Sequence, residues 1–164
     1  MAWELLFERY QLPLYVYVFE LVRDEQTSLD IVQETFIAAV RHIAGLQADE
    51  NFGSWLFGIA HQKCVQLWRK QNRAARWRDE IAYATADLES SPDDLLLRRE
   101  QEAEFLLLLD QLSLPQRTAL LLHFMEDFSL EEIARITGTS LGTVKSRIHY
   151  GKRTLRKLLQ KTLP

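Results

Sequence analysis

The positively charged side chains near the C-terminal end of the chain are its clearest chemical feature. From Ile133 onward there are eight lysine and arginine residues and no acidic one. Such side chains bind the phosphates of nucleic acids. At 100° per residue, one face of this segment is polar and the opposite face is apolar. The polar face holds Ser146, His149, Tyr150, Arg153 and Lys157, and the apolar face holds Val144, Ile148, Gly151, Leu155 and Leu158. The pattern predicts a helix that presents one side to DNA.

The residues in front of this helix predict the rest of a helix-turn-helix motif. Ser129 and Glu132 have the spacing of a capping box, in which each side chain bonds the other residue's backbone amide. Gly138 can adopt the positive φ of a tight turn between helices, and Ser140 then caps the second helix. The alternative is a three-helix packing unit with a solvated basic face. The one-sided charge favours DNA binding, because helix-turn-helix proteins place their second helix in the major groove.

A second group of basic and aromatic residues lies between residues 51 and 78, which hold six bases and no acid. Single-stranded DNA binding uses this combination, because bases stack on aromatic rings while cations follow the phosphates. The group contains Trp55, Phe57, His61, Lys63, Trp68, Arg69, Lys70, Arg73, Arg76, Trp77 and Arg78. Trp55 has helical spacing from Phe52 and Ile59, so core packing is the stronger interpretation for that ring.

Charge alternates along the chain, although the net value is only −3. Residues 1–50 hold nine acids and three bases, and residues 79–111 hold ten acids and two bases. Residues 112–164 reverse this balance with nine bases and four acids. Two basic segments separated by an acidic one predict two nucleic-acid contacts and a connector that avoids DNA. We therefore expect an N-terminal domain over 1–78, a flexible acidic linker over 79–92 and a C-terminal domain over 93–164.

Apolar residues that recur at threes and fours, with few glycine and proline residues, predict an all-α fold of two small helical domains. In the N-terminal bundle, Pro13 marks a kink or a restart of the first helix. Thr27 or Ser28 caps the second helix, whose expected apolar stripe is Leu29, Val32, Phe36, Val40 and Ile43. A third helix over 52–73 is expected to bury Phe52, Trp55 and Ile59.

The C-terminal domain is predicted to begin with a well-capped helix. Ser91 and Pro92 are typical of a helix start, and the acids that follow complement the positive end of the helix dipole. The helix continues from Leu95 to Leu112. A further helix over 116–124 precedes the helix-turn-helix motif.

Catalytic and metal-binding patterns are missing from the sequence. It contains no nucleophile elbow, no phosphate-binding glycine-rich loop and no His-Glu-x-x-His motif, so we expect no enzyme activity. Cys64 is the single cysteine and the four histidines lack paired-ligand spacing, so we expect neither a disulfide nor a metal or cofactor. No signal peptide or membrane span is recognisable, which is typical of a cytoplasmic protein.

Four ordered motifs over nearly the whole chain resemble the bacterial extracytoplasmic-function (ECF) sigma factors. They are Asp30-Ile31-Val32-Gln33-Glu34-Thr35-Phe36, then Phe52-x-x-Trp55-Leu56-x-x-Ile59-Ala60, then Leu114-Pro115-x-Arg117, and finally Phe128-Ser129-Leu130-Glu131-Glu132-Ile133-Ala134 through Gly142-Thr143-Val144-Lys145-Ser146-Arg147. The resemblance implies an initiation subunit of bacterial RNA polymerase. Its N-terminal domain would read and open the minus-ten element, and its C-terminal domain would read the minus-thirty-five element. A membrane-tethered anti-sigma factor is a common partner in such families.

The resemblance also implies roles for individual residues. The residues expected to dock on the clamp helices of the largest polymerase subunit are Asp30, Gln33 and Glu34. Those expected at minus-ten DNA are Phe57, His61, Gln62, Arg69, Lys70 and Arg73. Those expected at minus-thirty-five DNA are Thr143, Lys145, Ser146, Arg147, His149, Tyr150, Lys152 and Arg153. Of these, Ser146, His149 and Tyr150 are predicted to read bases, and the cations to hold phosphates.

Three positions depart from the family pattern. Gln62 replaces an asparagine that the family links to the captured minus-ten base, Gln66 replaces an aspartate, and Tyr150 replaces an arginine of the recognition helix. Gln62 keeps the amide donor and acceptor of asparagine one methylene farther from the helix. It is therefore the predicted reader of the opened strand, with Phe57 or His61 available for stacking and the loop over 45–51 completing the pocket.

A helix-turn-helix regulator that is not a polymerase subunit is the main alternative. Two-component output domains share the Leu-Pro-x-Arg motif, but an α/β receiver or sensor domain precedes them. The N-terminal part of this chain shows no alternating strands. A helical enzyme or a protein-binding adaptor has still less support, and polymerase binding would discriminate among the three classes.

Overall fold

The computed structural model describes residues 2–46, 51–71 and 102–162, and these residues form seven α-helices and two short helical turns with no β-strand. The chain divides into two compact units, built mainly from the helices before residue 72 and from those after residue 101. The predicted all-α fold is confirmed. The predicted linker over 79–92, the helix start at Ser91 and Arg73 lie outside the described residues.

Three mutually packed helices form the first unit. They are α1 (Ala2–Val22), α2 (Glu25–His42) and α3 (Phe52–Lys70), with a 3₁₀ turn over Ile43–Gly45 after α2. Helix α1 runs through Pro13 without interruption, so the predicted restart there is wrong. Proline costs the helix one backbone hydrogen bond. Burial of the inner face offsets that loss, and its buried residues are Leu14, Tyr17, Val18, Leu21 and Val22.

Helix α2 begins earlier than the sequence predicts and is rotated from the predicted orientation. Its N-cap is Asp24, whose carboxylate accepts a hydrogen bond of 2.9 Å from the Thr27 amide. Hydrogen bonding by the Thr27 side chain and then by its amide lowers the pKa of Asp24. The buried residues are Ser28, Ile31, Val32, Thr35, Phe36 and Ala39. The Thr35 hydroxyl donates to the Ile31 carbonyl at 2.6 Å, so this polar side chain is satisfied inside the core. Hydrophobicity alone therefore misplaced the buried face.

Helix α3 is also rotated relative to the sequence prediction. Asn51 caps it by accepting the Gly53 amide at 2.7 Å. Its buried residues are Gly53, Ser54, Leu56, Phe57, Ala60, His61, Cys64 and Trp68. Phe52, Trp55 and Ile59 are only half-buried, so their prediction as the main core face is wrong. The small residues Gly53 and Ala60 let neighbouring helices approach, and large size alone is a poor guide to the buried face.

Four helices and one π-helical turn form the second unit. They are α4 (Glu102–Leu109), α5 (Leu114–Leu120), the π turn (Leu121–Met125), α6 (Leu130–Thr137) and α7 (Leu141–Thr162). Ser113 caps α5, with Pro115 in the first turn. The chain then widens into the π turn, where the Glu126 amide donates to the Leu121 carbonyl at 3.3 Å. The predicted helix over 116–124 is therefore present, but part of it is not α-helical.

The predicted helix-turn-helix geometry is confirmed between α6 and α7. The Glu132 amide donates to the Ser129 hydroxyl at 3.1 Å and the Ser129 amide donates to the Glu132 carboxylate at 3.0 Å, which completes the capping box. Gly138 has φ of 67°, and Ser140 accepts the Thr143 amide at 3.1 Å. This turn sets the direction in which α7 leaves the motif.

Candidate DNA-binding and protein-binding surfaces

The exposed side of α3 carries part of the predicted minus-ten set. Gln62, Gln66 and Arg69 are exposed and lie one helical turn apart on the same side of the helix. Lys70 is exposed at the C-terminal end of the helix. Two amides and two cations can donate hydrogen bonds to bases or phosphates from this position. Helix α3 therefore presents a polar stripe of Gln62, Gln66 and Arg69 on the side away from the core.

Phe57 and His61 do not belong to this stripe, so their prediction as stacking partners for DNA bases is wrong. Phe57 is fully buried and His61 is only 3% exposed. They lie one turn apart on the face of α3 that packs inward, where the Tyr17 ring contacts Phe57 at a centroid distance of 5.3 Å. The Tyr17 hydroxyl bonds His61 Nδ1 at 2.9 Å. This bond explains how a histidine is accommodated in an apolar core.

The tryptophans of α3 have different environments. Trp55 is half-buried and contacts Phe52 at 5.8 Å between ring centroids. Trp68 is fully buried and meets the His61 ring edge-on at 6.2 Å. Next to it, burial raises the pKa of the Cys64 thiol to about 12. Neither the thiol nor Trp68 is accessible for binding chemistry, and no cluster of metal-ligating side chains occurs among the described residues.

Fewer side chains of the basic helix α7 are exposed to solvent than the sequence predicts. Lys145 and Arg153 are exposed, and Thr143, His149 and Tyr150 are half-buried. The rings of His149 and Tyr150 meet edge-on at 5.1 Å. Further cations are exposed toward the C-terminal end of the helix, namely Arg156, Lys157 and Lys161. Helix α7 therefore presents aromatic, hydroxyl and cationic groups together.

Three predicted minus-thirty-five residues are buried in the structure, which does not expose them for contact with DNA. Ser146 is 1% exposed, Arg147 4% and Lys152 8%. Arg147 and Lys152 lie on either flank of the apolar face of α7, and Ser146 lies opposite that face. The buried atoms include Ser146 Oγ and Arg147 Nε.

The outer face of α2 combines carboxylates with apolar side chains. Asp30, Gln33 and Glu34, the residues predicted to dock on polymerase, are all exposed. The Gln26 amide donates to the Asp30 carboxylate at 3.0 Å, and Lys63 lies 4.0 Å from the Glu34 carboxylate. Both carboxylates remain accessible at the helix surface.

The sequence prediction missed the apolar part of this face. Leu29 and Ile37 are each 46% exposed and Val40 is 51% exposed. With Gln33 they form a continuous strip along α2, which we call the α2 outer strip (Leu29, Gln33, Ile37 and Val40). Leu29 and Val40 had been assigned to the core because they are apolar. A helical projection with Ser28 and Thr35 on the buried side places Leu29 and Val40 on the exposed side of α2.

Comparisons with known proteins place these surfaces in a family. The family model described as sigma-70 region 2 matches residues 6–74, and the one described as sigma-70, region 4 matches residues 102–155. The RNA polymerase sigma-H factor of Pseudomonas aeruginosa is 33% identical over 99% of this chain and 88% of its own length. The chain belongs to the ECF sigma factors. An ECF sigma factor named EcfG from Rhodopseudomonas palustris is 35% identical over 79% of this chain and 70% of its own length.

Solved structures agree with this assignment of the sigma factor. The sigma factor RpoE of Bartonella quintana, solved in complex with the anti-sigma factor NepR, has a TM-score of 0.68 and 25% identity over 95% of this chain and 97% of its own. CnrH, solved with the cytosolic domain of CnrY, has the same fold with a TM-score of 0.68 and 24% identity over 99% of this chain and 90% of its own.

The order of the two matched regions decides between the sequence alternatives. A sigma-70 region 2 precedes the helix-turn-helix region, where a response regulator would have a receiver domain. The sigma factor therefore directs promoter-specific initiation by RNA polymerase, and the regulator alternative is not favoured. Helices α1 to α3 belong to region 2, and α4 to α7 belong to region 4. No helix in the part of the chain that the structure describes has the length and hydropathy to span a bilayer.

Proposed function

We propose that the sigma factor divides its work among three helix surfaces. The α2 outer strip and its carboxylates bind the largest subunit of core polymerase, the polar stripe of α3 contacts the opened minus-ten element, and α7 reads the minus-thirty-five element. The apolar strip of α2 carries this proposal, because it leaves three large aliphatic side chains in water on a helix whose other face is already packed. Such exposure in a small domain is typical of a protein-binding surface.

The chemistry of the α2 surface favours a mixed interface. Leu29, Ile37 and Val40 can supply the desolvated centre that carries most binding energy in protein interfaces. Asp30 and Glu34 lie at the edge, where opposite charges on the partner would orient the encounter. The docking prediction that named only polar residues is thereby extended to their apolar neighbours.

Core-polymerase binding by paired variants tests the docking surface. We expect Ile37→Ala with Val40→Ala to weaken binding at least about tenfold, because each truncation at an interface centre costs more than about 1 kcal/mol. The matched control is Leu5→Ala with Leu12→Ala, two leucines of α1 that are each 68% exposed. The measurement is a titration of labelled sigma factor with core polymerase, with circular dichroism to verify folding. Equal affinities for both pairs would contradict the proposal.

Charge-reversal variants test the acidic edge of this surface independently of its apolar centre. Asp30→Lys with Glu34→Lys removes two acids from the face but leaves the buried residues of α2 intact. We expect a slower association with core polymerase that depends on salt, because rim charges act mainly on the rate of encounter. This result would support the polar part of the docking surface independently.

On α7, we propose that the exposed cations hold phosphates and that His149 and Tyr150 contact bases. Arg153 is exposed, so Arg153→Ala should weaken binding to matched and scrambled minus-thirty-five sites alike and lower the salt slope by about one. Tyr150→Phe should change the preference between sites instead. The measurement is holoenzyme binding to both DNAs across a salt series. A loss confined to the matched site for Arg153→Ala would contradict the division.

We further propose that the chain acts in the cytoplasm and has no catalytic chemistry of its own, so that polymerase supplies the reaction. An anti-sigma factor is a further proposed partner, supported by the complex with NepR solved for a similar sigma factor. Such a partner would cover the surfaces that polymerase and DNA need. Pull-downs from native cells under inducing and resting conditions test this, and recovery of polymerase but no dedicated inhibitor in both would contradict it.

A further inference from the structure

A buried hydrogen bond joins α1 to the inward face of α3, beside the polar stripe. The Tyr17 hydroxyl and His61 Nδ1 are 2.9 Å apart, and the two side chains are 1% and 3% exposed. Burial raises the pKa of Tyr17 well above its ordinary value, so the hydroxyl keeps its proton. The hydroxyl therefore donates to the imidazole when Nδ1 is unprotonated. His61 is the residue immediately before Gln62 in α3.

We propose that the bond between Tyr17 and His61 is a positioning contact that sets the rotation of α3 about its own axis. In that orientation the stripe of Gln62, Gln66 and Arg69 points toward the opened minus-ten strand. This inference rests on the proposed role of α3 in minus-ten recognition. It assigns Tyr17, a core residue remote from the DNA, to base discrimination.

The packing around this bond on the buried face of α3 is largely apolar. The buried neighbours of His61 on its own helix include Phe57, Ala60, Cys64 and Trp68, whose ring meets the imidazole edge-on. Apolar attraction has no direction, whereas a hydrogen bond weakens steeply when its angle or length changes. The bond between Tyr17 and His61 therefore adds a directional restraint on α3 to the steric restraint of the packed core.

A small rotation of α3 is enough to disturb base recognition. At the outer radius of a helix, about 5 to 6 Å, a rotation of about 20° moves the end of a side chain by about 2 Å. Hydrogen-bonding groups in a binding site must be held within about 0.5 Å of their productive positions. The Gln62 amide would lose its geometry toward a base before the helix lost its packing.

If the bond has this role, substitutions of Tyr17 and His61 affect the stability of the fold and the discrimination between minus-ten bases in different ways. Removing one partner leaves a buried polar atom unsatisfied, but replacing both by apolar groups is nearly neutral for stability. If the pair were purely structural, an apolar pair would restore both stability and base discrimination. If the pair positions α3, an apolar pair would restore stability but not base discrimination, because apolar packing does not replace the directional hydrogen bond.

The experiment compares holoenzymes that carry Tyr17→Phe alone and Tyr17→Phe with His61→Leu. Open-complex formation is measured on promoters with each of the four bases at every minus-ten position, and unfolding of the free sigma factor is followed in urea. The matched control is Tyr15→Phe, a half-buried tyrosine of the same helix that stacks on Phe19 at 5.9 Å. Gln62→Ala serves as the reference for loss of base recognition.

We expect Tyr17→Phe to lower the ratio of open-complex formation on preferred and other minus-ten bases by about three- to tenfold. This is the range that corresponds to one net hydrogen bond. Closed-complex affinity and the Tyr15→Phe control should be unchanged. The double variant should regain resistance to urea but not base discrimination. If Tyr17→Phe does not fold, the double variant alone decides the question.

Three outcomes would overturn the proposal. Wild-type discrimination in the double variant would show that the pair only fills the core. Wild-type discrimination in Tyr17→Phe, with a clear loss in Gln62→Ala, would refute positioning and leave the proposed function of α3 intact. If Gln62→Ala also kept the wild-type base profile, the role of α3 in base reading would itself be refuted, and the positioning role with it.

Discussion

Tyr17 packs against two side chains of α3, Phe57 and His61, and all three residues are buried. The sequence predicts His61 and Phe57 at the DNA surface because basic and aromatic side chains alternate along α3. Their burial follows from a contact with Tyr17, which lies far away in the sequence. Composition reports which side chains could bind DNA, but only tertiary packing determines which of them face solvent.

Glu126 is a residue whose charge opposes folding. Burial, aided by the nearby negative charge of Asp127, raises the pKa of its carboxyl to about 7. The folded state therefore binds a proton more tightly than the unfolded state, whose pKa is near the ordinary 4.5. Stability from this group is complete below about pH 4.5 and is lost as pH rises toward 7.

The Glu126→Gln variant tests this linkage. We expect it to remove the decline in stability between about pH 4.5 and 7 and to stabilise the protein at pH 8, because a neutral amide has no proton to lose. Thermal unfolding at a series of pH values measures the effect. Glu131→Gln is the control, since Glu131 is exposed at the start of α6. A parallel pH profile for Glu126→Gln and the parent protein would contradict the linkage.

At the level of helices, the sequence predicted which elements exist better than how each is rotated. The capping box at Ser129 and the turn at Gly138 were predicted correctly, because both depend on hydrogen bonds within a few residues. The buried faces of α2 and α3 were misplaced, because Thr35 and His61 are polar residues whose partners satisfy them in the core. The π turn had no recognisable local signal.

Arg117 shows how a side chain can terminate a helix. It is buried, and its guanidinium donates to the carbonyls of Leu109, Asp110 and Leu112 at 3.0, 3.4 and 3.2 Å. Leu109 is the last residue of α4 and its carbonyl also accepts the Leu112 amide at 3.0 Å, whereas Asp110 and Leu112 follow the helix. The arginine of the Leu-Pro-x-Arg motif therefore joins α4 to α5.

Replacing this arginine should destabilise region 4. We expect Arg117→Met to cost about 2 to 3 kcal/mol, because these carbonyls lose hydrogen bonds from a buried charged donor. Arg117→Lys should rescue little, since an ammonium cannot reproduce the planar fork. Urea unfolding followed by far-UV circular dichroism measures the loss. The exposed Arg153→Met is the control, and an equally small effect of both changes would refute the capping role.

At the level of the whole molecule, the proposed surfaces for protein and DNA lie on different helices. This division has an energetic reason. Opening about ten base-pair steps costs about 14 kcal/mol at about 1.4 kcal/mol each. Stacking two captured bases returns only about 2 to 6 kcal/mol. Polymerase must supply the remainder, so we expect the proposed docking face of α2 to be as necessary for opening as the stripe of α3.

We therefore expect that the sigma factor alone does not open promoter DNA. Permanganate footprinting of a promoter should show unpaired thymines with holoenzyme and none with the free chain at any concentration. Core polymerase with the Ile37→Ala, Val40→Ala variant provides the comparison at limiting concentration. Reactive thymines with the free chain would mean that the energy of opening comes from the sigma factor itself.

The exposed aliphatic side chains of α2 also have a consequence for the lifetime of the chain in the cell. A ligand that binds only the folded state stabilises it by about 2.7 kcal/mol when present at a hundred times its dissociation constant. Proteases cleave transiently opened chains, so degradation slows as that stabilisation grows. The α2 outer strip would thus couple the abundance of this protein to the supply of vacant polymerase, and surplus copies would be degraded first.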